Sequence, residues 1–221
     1  MSMHPRTLRV LTTLAVGTFV LLSSAFVRTA EAAPAPPTKP QTIRGLAPGQ
    51  SVNSLGEYVK ARDAARAARA EGRAVAVTCM NVLIQSLANG RYVAAEETHP
   101  VNFQRFRLTT NLPFADAFRT CDAGTYDYIY WSVGGNYVTT EAGYEQPYTG
   151  MLRARQDTVY GAREKFSVVC TSDYCYMMSH ANTRYVAVEV VSPSPDPGDT
   201  GILRARTAGK DFGPWEKFHI G

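Results

Sequence analysis

From Val75 to the C-terminus the chain alternates apolar and polar positions in short β-branched and aromatic runs broken by Gly, Asn and Pro, which predicts strands joined by tight turns. Two earlier stretches read differently. Ser54 and Glu57 have capping-box spacing, residues 61–70 are dominated by Ala and Arg, and Gly72 follows as a stop, so a helix is predicted over about residues 55–71. Arg62, Arg66, Arg69 and Arg73 fall on one stripe of that helix, read here as a solvated face, with a basic anchor for wall polymers or phosphate as the functional alternative. Before it, Arg6 and Arg9 precede a mostly apolar run from Val10 to Val27, and Ala30-Glu31-Ala32 supplies small residues for cleavage before Ala33. Residues 1–32 therefore read as a secretory signal. An uncleaved anchor is the alternative, against which Thr12, Thr13, Gly17, Thr18, Ser23 and Ser24 dilute the run and Pro34, Pro36, Pro37 and Pro40 follow it. The Pro-rich, polar residues 33–50 read as a linker whose removal costs the domain almost nothing, so 33–76 is linker plus helix.

The strand region says nearly the same thing three times. Ile84 to Ala95 reads IQSLANGRYVAA, Tyr130 to Thr140 reads YWSVGGNYVTT, and Met177 to Val188 reads MMSHANTRYVAV; each continues with Glu, at Glu96, Glu141 and Glu189. Leu108, Leu152 and Leu203 follow, and the copies close on Phe118, Phe166 and Phe218. The units span about 77–124, 125–172 and 173–221. Each offers about four short strands and cannot bury an apolar face alone. Six strands closed into a barrel and capped by three hairpins remove the open edges, whereas a propeller needs four or more blades, so the counting predicts an all-β fold, a β-trefoil. Residues present in all three copies, the Tyr92, Tyr137 and Tyr185 set with the Leu and Phe sets, are expected in its core.

NGRYV at Asn89–Val93, the two LRAR segments, and above all GPWEKF at Gly213–Phe218 resemble the repeat signature of fascin-like β-trefoils, over residues 77–221. Ala162–Phe166 lacks the Trp, and Ala115–Phe118 is a degenerate copy. The Gln-x-Trp triplets of ricin-type lectins do not occur. The resemblance points two ways. Fascins bundle actin with several trefoils in one intracellular chain, which a single exported trefoil cannot copy; bacterial fascin-like domains often accompany secreted carbohydrate enzymes.

Export places Cys79, Cys121, Cys170 and Cys175 in an oxidising environment, and of the three possible pairings Cys79–Cys121 with Cys170–Cys175 is favoured. The absence of Cys-x-x-Cys, with no His at ligand spacing, argues against a metal site, and no cofactor motif occurs. The formal charge of +4 arises before the repeats: residues 77–221 hold thirteen Lys or Arg against fifteen acids, so nothing draws this domain to nucleic acid or to an anionic membrane. No nucleophile, zinc or nucleotide motif is present, so no enzyme activity is expected. His180 reads as an exposed turn residue. Glu96, Glu141 and Glu189 either satisfy turn amides or mark three equivalent sites. Asp196 and Asp199, in a Ser192–Gly201 insertion, read as a loop rather than a calcium site. Single-copy residues are freer to function, and they crowd in the second unit. Pairing Tyr130 with Ile84 and Met177 turns Trp131 outward, where Tyr144 and Tyr148 could complete a surface for stacking on a sugar ring. The expectation is a secreted, monomeric recognition module for extracellular polysaccharide. A protein-interaction or protease-inhibitor trefoil is the alternative, with actin-type binding a weaker family-level one.

Overall fold

The structure is a computed structural model that describes residues 42–46, 51–98, 105–146, 148–189, 201–209 and 212–221. The signal, most of the linker, and Asp196 and Asp199 lie outside the described residues. A short strand β1 (Thr42–Arg44) and one helix α1 (Leu55–Ala70) precede the repeats. The first unit forms β2 (Thr78–Val82), β3 (Ile84–Ser86), β4 (Ala94–Glu96), β5 (Arg107–Thr109), β6 (Phe114–Asp116) and β7 (Phe118–Asp122). The second forms β8 (Asp127–Trp131), β9 (Asn136–Glu141), β10 (Met151–Gln156) and β11 (Phe166–Cys170), and the third β12 (Cys175–Ser179), β13 (Arg184–Val188), β14 (Leu203–Thr207) and β15 (Phe218–Ile220).

Pairing closes a ring: β2 with β7, β7 with β8, β8 with β11, β11 with β12, β12 with β15, and β15 with β3, which continues β2 past Leu83. The hairpins β4–β5, β9–β10 and β13–β14 cap it. They also join one another in a cycle, through Arg107 opposite Arg153, Met151 opposite Arg204, and Ile202 opposite Thr109. The amides of Ala154, Ala205 and Thr110 donate to the carbonyls of Phe106, Gly150 and Gly201 at 2.9, 2.8 and 2.8 Å. A barrel capped by three hairpins with this pseudo-threefold cycle is a β-trefoil, as the repetition predicts.

The Leu and Phe sets are buried in one core with Ile84, Ile129 and Met177. The tyrosine set is not. Tyr92, Tyr137 and Tyr185 are half-buried, while the neighbouring Val93, Val138 and Val186 point inward, because adjacent strand residues face opposite ways. Tyr137 packs edge-on against Tyr128 and Tyr130, and Tyr185 against Tyr176 and Phe212. The disulfides Cys79–Cys121 and Cys170–Cys175 join directly opposed residues of β2–β7 and β11–β12, in the expected pairing. On loop length alone the first contributes about 4 kcal/mol by restricting the unfolded chain.

Helix α1 has its capping box, with Ser54 Oγ accepting from the Glu57 amide and Glu57 Oε2 from the Ser54 amide. Leu55 and Tyr58 enter the core, and the arginine stripe, expected to be solvated, turns inward with them. Arg62 is 3% exposed and donates to both Asp127 oxygens at 2.9 and 3.0 Å and to Tyr58 Oη at 3.1 Å. Arg69 donates to the Asp122 carboxylate at 2.9 Å and to its carbonyl at 3.1 Å. The reason is that Asp122 and Asp127 face each other across β7–β8, both buried, and two adjoining carboxylates out of water require cations. Arg66, half-exposed, and Arg73 keep the solvated position expected of the stripe.

The linker reading also fails at its end. Strand β1 pairs in parallel with β6, Arg44 clamps both oxygens of buried Asp116 at 2.7 and 2.9 Å, and its guanidinium lies 3.9 Å from the Phe114 ring centre. Deleting 33–50 would strip that clamp.

Burial pushes the Asp127 carboxyl above its ordinary value, while Arg62 and the Val168 amide pull it back. The fold therefore favours the protonated acid, and the stability gained from protonation is lost as pH rises from 3.8 through the folded value. Arg62→Gln removes the paired cation, so it is expected to cost roughly 3 to 5 kcal/mol near neutral pH. Urea unfolding of both proteins across pH should show this difference shrinking as pH falls below 3.8, where Asp127 is protonated in both states; a difference constant with pH would contradict the pairing.

Candidate functional site

Trp131 was expected to project outward; the structure places it in the core, 1% exposed. Counting back from the repeated tyrosine, Trp131 occupies the position of Ser86 and Ser179, not that of Gln85 and Met178, and a one-residue shift in a strand moves a side chain to the other face. In units one and three those serines accept from the amides of Ala88 and Ala181, and Asn89 and Asn182, three residues on, bond to Thr110 and to the Ala205 carbonyl. Unit two carries Trp131 and Gly134 at these places. The two changes go together, since a β-carbon at Gly134 would fall within the indole ring. Trp131 Nε1 donates to Asp116 Oδ2 at 2.8 Å, and its ring lies 5.9 Å from that of Phe106.

Tyr144 and Tyr148 are half-buried beside arginines rather than around an exposed Trp. Arg153 Nη1 donates to Tyr144 Oη at 3.0 Å, and the Arg204 guanidinium lies 5.9 Å from the Tyr148 ring centre. The three predicted ligand-binding residues do not form one open face. The repeated glutamates have a structural role: Glu96, Glu141 and Glu189 accept, through their carbonyls, from the amides of Phe106, Gly150 and Gly201, and pair through their side chains with Arg107, with Arg153 and Arg155, and with Arg204 and Arg206. They anchor the hairpin cycle.

What is open is a groove of about 530 Å³ on unit two, between the turn after β9, the end of β10, the 3₁₀ turn Ala162–Glu164 and the β12–β13 turn at Ala181. Its floor is set by Glu164, 3% exposed, whose oxygens accept from the Gly161 amide at 3.0 Å and Thr139 Oγ1 at 3.4 Å. Unit three repeats the device with Glu216, which accepts from Gly213 and Thr207. This explains the Gly-x-x-Glu-Lys-Phe motif: the acid caps the turn and the Phe enters the core. In unit three the residue before the motif, Phe212, stacks on Tyr176 and Tyr185, with centroids 4.8 and 4.6 Å apart. Its counterpart Tyr160 is 73% exposed and lines the groove with Gly143, Gln156 and Arg163.

No protein-family model matches the chain. Comparison with curated proteins likewise finds none similar in sequence. Among solved structures, the chain is similar to a GlcNAcα1-4Gal-releasing endo-β-galactosidase from Clostridium perfringens, at 11% identity with a TM-score of 0.46, over 63% of this chain and 31% of that one. It is similar to the designed threefold-symmetric protein ThreeFoil, at 13% identity and a TM-score of 0.43, over 63% of this chain and 96% of that one. It is also similar to Cry35Ab1, at 9% identity and 0.43, over 64% and 35%. The chain thus spans about a third of the galactosidase and of Cry35Ab1. Likenesses this slight bear on neither partner nor substrate.

Beside the groove, Ser167 Oγ and His180 Nε2 share a hydrogen bond at 2.8 Å, so His180 is half-buried against β11 rather than a free turn residue. Among the described residues no carboxylate bonds to His180, no group of His, Cys, Asp and Glu is arranged to hold a metal ion, and no helix is long and apolar enough to cross a membrane. Tyr160 and Arg163 escaped the sequence reading, although aligning Gly161–Phe166 with Gly213–Phe218 sets them opposite Phe212 and Trp215 and marks Arg163 as single-copy.

Because Trp131 is core, Trp131→Ala is expected to cost about 3 to 5 kcal/mol in denaturant unfolding. A variant within about 0.5 kcal/mol of wild type would place the ring at the surface after all.

Proposed function

We propose that this chain is a secreted, non-catalytic recognition domain of the fascin-like trefoil type, and that it binds extracellular polysaccharide through the Tyr160 groove. The observation that carries the reading is the exposed Tyr160 ring. Its counterpart in unit three is packed away on two tyrosines, whereas in unit two the ring stands free at the edge of an open groove. A flat aromatic face matches the apolar face of a pyranose, and the Gln156 amide and Arg163 guanidinium supply hydrogen-bond donors for hydroxyls. An open-ended groove suits an internal stretch of polymer better than a small molecule held on all sides. The two disulfides fit an oxidising, extracellular setting.

One ring contributes only about 0.5 to 1.5 kcal/mol by stacking, so single-site affinity is expected in the micromolar to millimolar range, strengthened on a polymer by repeated engagement. In pull-down with insoluble polysaccharides, Tyr160→Ala should weaken binding about two- to tenfold, with a Tm within about 3 °C of wild type. Wild-type binding that survives the substitution unchanged moves the site elsewhere. Failure of the wild type to bind any polysaccharide, with capture of an extracellular protein instead, replaces this reading by the protein-interaction one.

A further inference from the structure

We infer that the Tyr160 groove selects polysaccharides bearing anionic groups, carboxylate or sulfate, over neutral ones; this rests on the recognition role proposed above. Arg163 is exposed, and it makes no hydrogen bond or ion pair with any described residue. Arg44, Arg62, Arg69, Arg107, Arg153 and Arg204 are each committed to a carboxylate, whereas Arg163 is not, and of the exposed arginines without such a partner, Arg119 and Arg184 among them, it is the one that lines the groove. Its guanidinium reaches across the groove towards the turn after β9: a β-carbon on Gly143 would stand 3.4 Å from Nη2. The guanidinium thus lies within van der Waals reach of that turn, in the groove that Tyr160 also lines. The other charged residue lining the groove among the described residues, Glu164, is buried, accepts from the neutral Gly161 amide and Thr139 hydroxyl, and makes no ion pair with Arg163, so the Arg163 fork is left to meet a ligand although the Glu164 carboxylate opposes part of its field.

Comparison of the three units sharpens the point. The position of Arg163 holds Ala115 in unit one and Trp215 in unit three, and that of Tyr160 holds Leu112 and Phe212, so ring and cation occur together in unit two alone. A sugar stacked on Tyr160 presents its substituents at the ring edge. An acidic substituent there meets two parallel N–H donors, the geometry in which Arg binds carboxylate or sulfate oxygens best. The repeats carry slightly more acids than bases overall, so no general field favours an anionic polymer, and the selectivity is local to Arg163.

The test is affinity electrophoresis of the mature protein through gels containing sodium polygalacturonate, carboxyl-reduced polygalacturonate, dextran sulfate or unmodified dextran. The wild type is expected to bind polygalacturonate or dextran sulfate about three- to tenfold more tightly than the matched neutral polymer, a preference that fades in high salt. The carboxylate and sulfate arms identify which anion is read. Arg163→Gln should bring acidic and neutral polymers to equal affinity, Arg163→Lys should keep part of the preference, and Tyr160→Ala should weaken binding to all. Equal wild-type binding to acidic and neutral polymers, or a preference unchanged in Arg163→Gln, overturns the anionic selectivity and leaves the recognition role standing. Absence of binding to every polymer overturns both.

Discussion

Everything in this fold hangs on the cycle in which each hairpin hands a carbonyl to the next. Phe106, Gly150 and Gly201 accept from Ala154, Ala205 and Thr110, and to do so all three must adopt a left-handed backbone, with φ of 61°, 81° and 83°. Glycine does this freely, and Gly150 also has the Ala205 carbonyl where a β-carbon would go. Unit one instead places a phenylalanine in that conformation, which costs on the order of 1 to 3 kcal/mol. The irregularity propagates: Phe106 packs against Trp131, Trp131 needs Gly134 and donates to Asp116, and Asp116 needs the Arg44 clamp. A single departure from threefold symmetry thus explains why a segment far upstream in the chain is bound to the barrel.

At the other end of the barrel the constraint is charge. Strand β8 begins at Asp127 and runs towards the hairpins, so Asp127 and its cross-strand neighbour Asp122 lie at the end the hairpins leave open. Helix α1 covers that end and brings Arg62, Arg66 and Arg69 to the two acids. A buried pair of this kind adds little net stability compared with an apolar contact, but removing one partner is costly, so the helix behaves as part of the domain.

Much of this was legible in the sequence, because repetition reports packing. The Leu and Phe sets and the capping box follow from spacing, and the disulfide pairing present is the one favoured among the three that four cysteines allow. What was misread has two physical sources. Strand faces alternate residue by residue, so aligning unit two from Tyr130 instead of Ile129, one position late, turns Trp131 outward and hides the Ser86, Trp131, Ser179 equivalence. Repetition marks a position as structural without saying which of two neighbours faces in, so Tyr92, Tyr137 and Tyr185 were taken for core in place of Val93, Val138 and Val186. The arginine stripe was misjudged for a different reason: its partners, Asp122 and Asp127, are more than fifty residues away, and nothing local announces them. Tyr160 was missed because its exposure is defined only against the packed Phe212.

The account holds that units one and three are scaffold and that recognition belongs to unit two, where an exposed ring and an unpaired cation share a groove. Amide chemical-shift mapping of the ¹⁵N-labelled mature protein during titration with oligogalacturonate tests this most directly. The account predicts shifts confined to Ala142, Gly143, Gln156, Tyr160 through Glu164, and Ala181. Equal shifts at the matching turns of units one and three, or a map centred on Tyr144 and Tyr148, would contradict it.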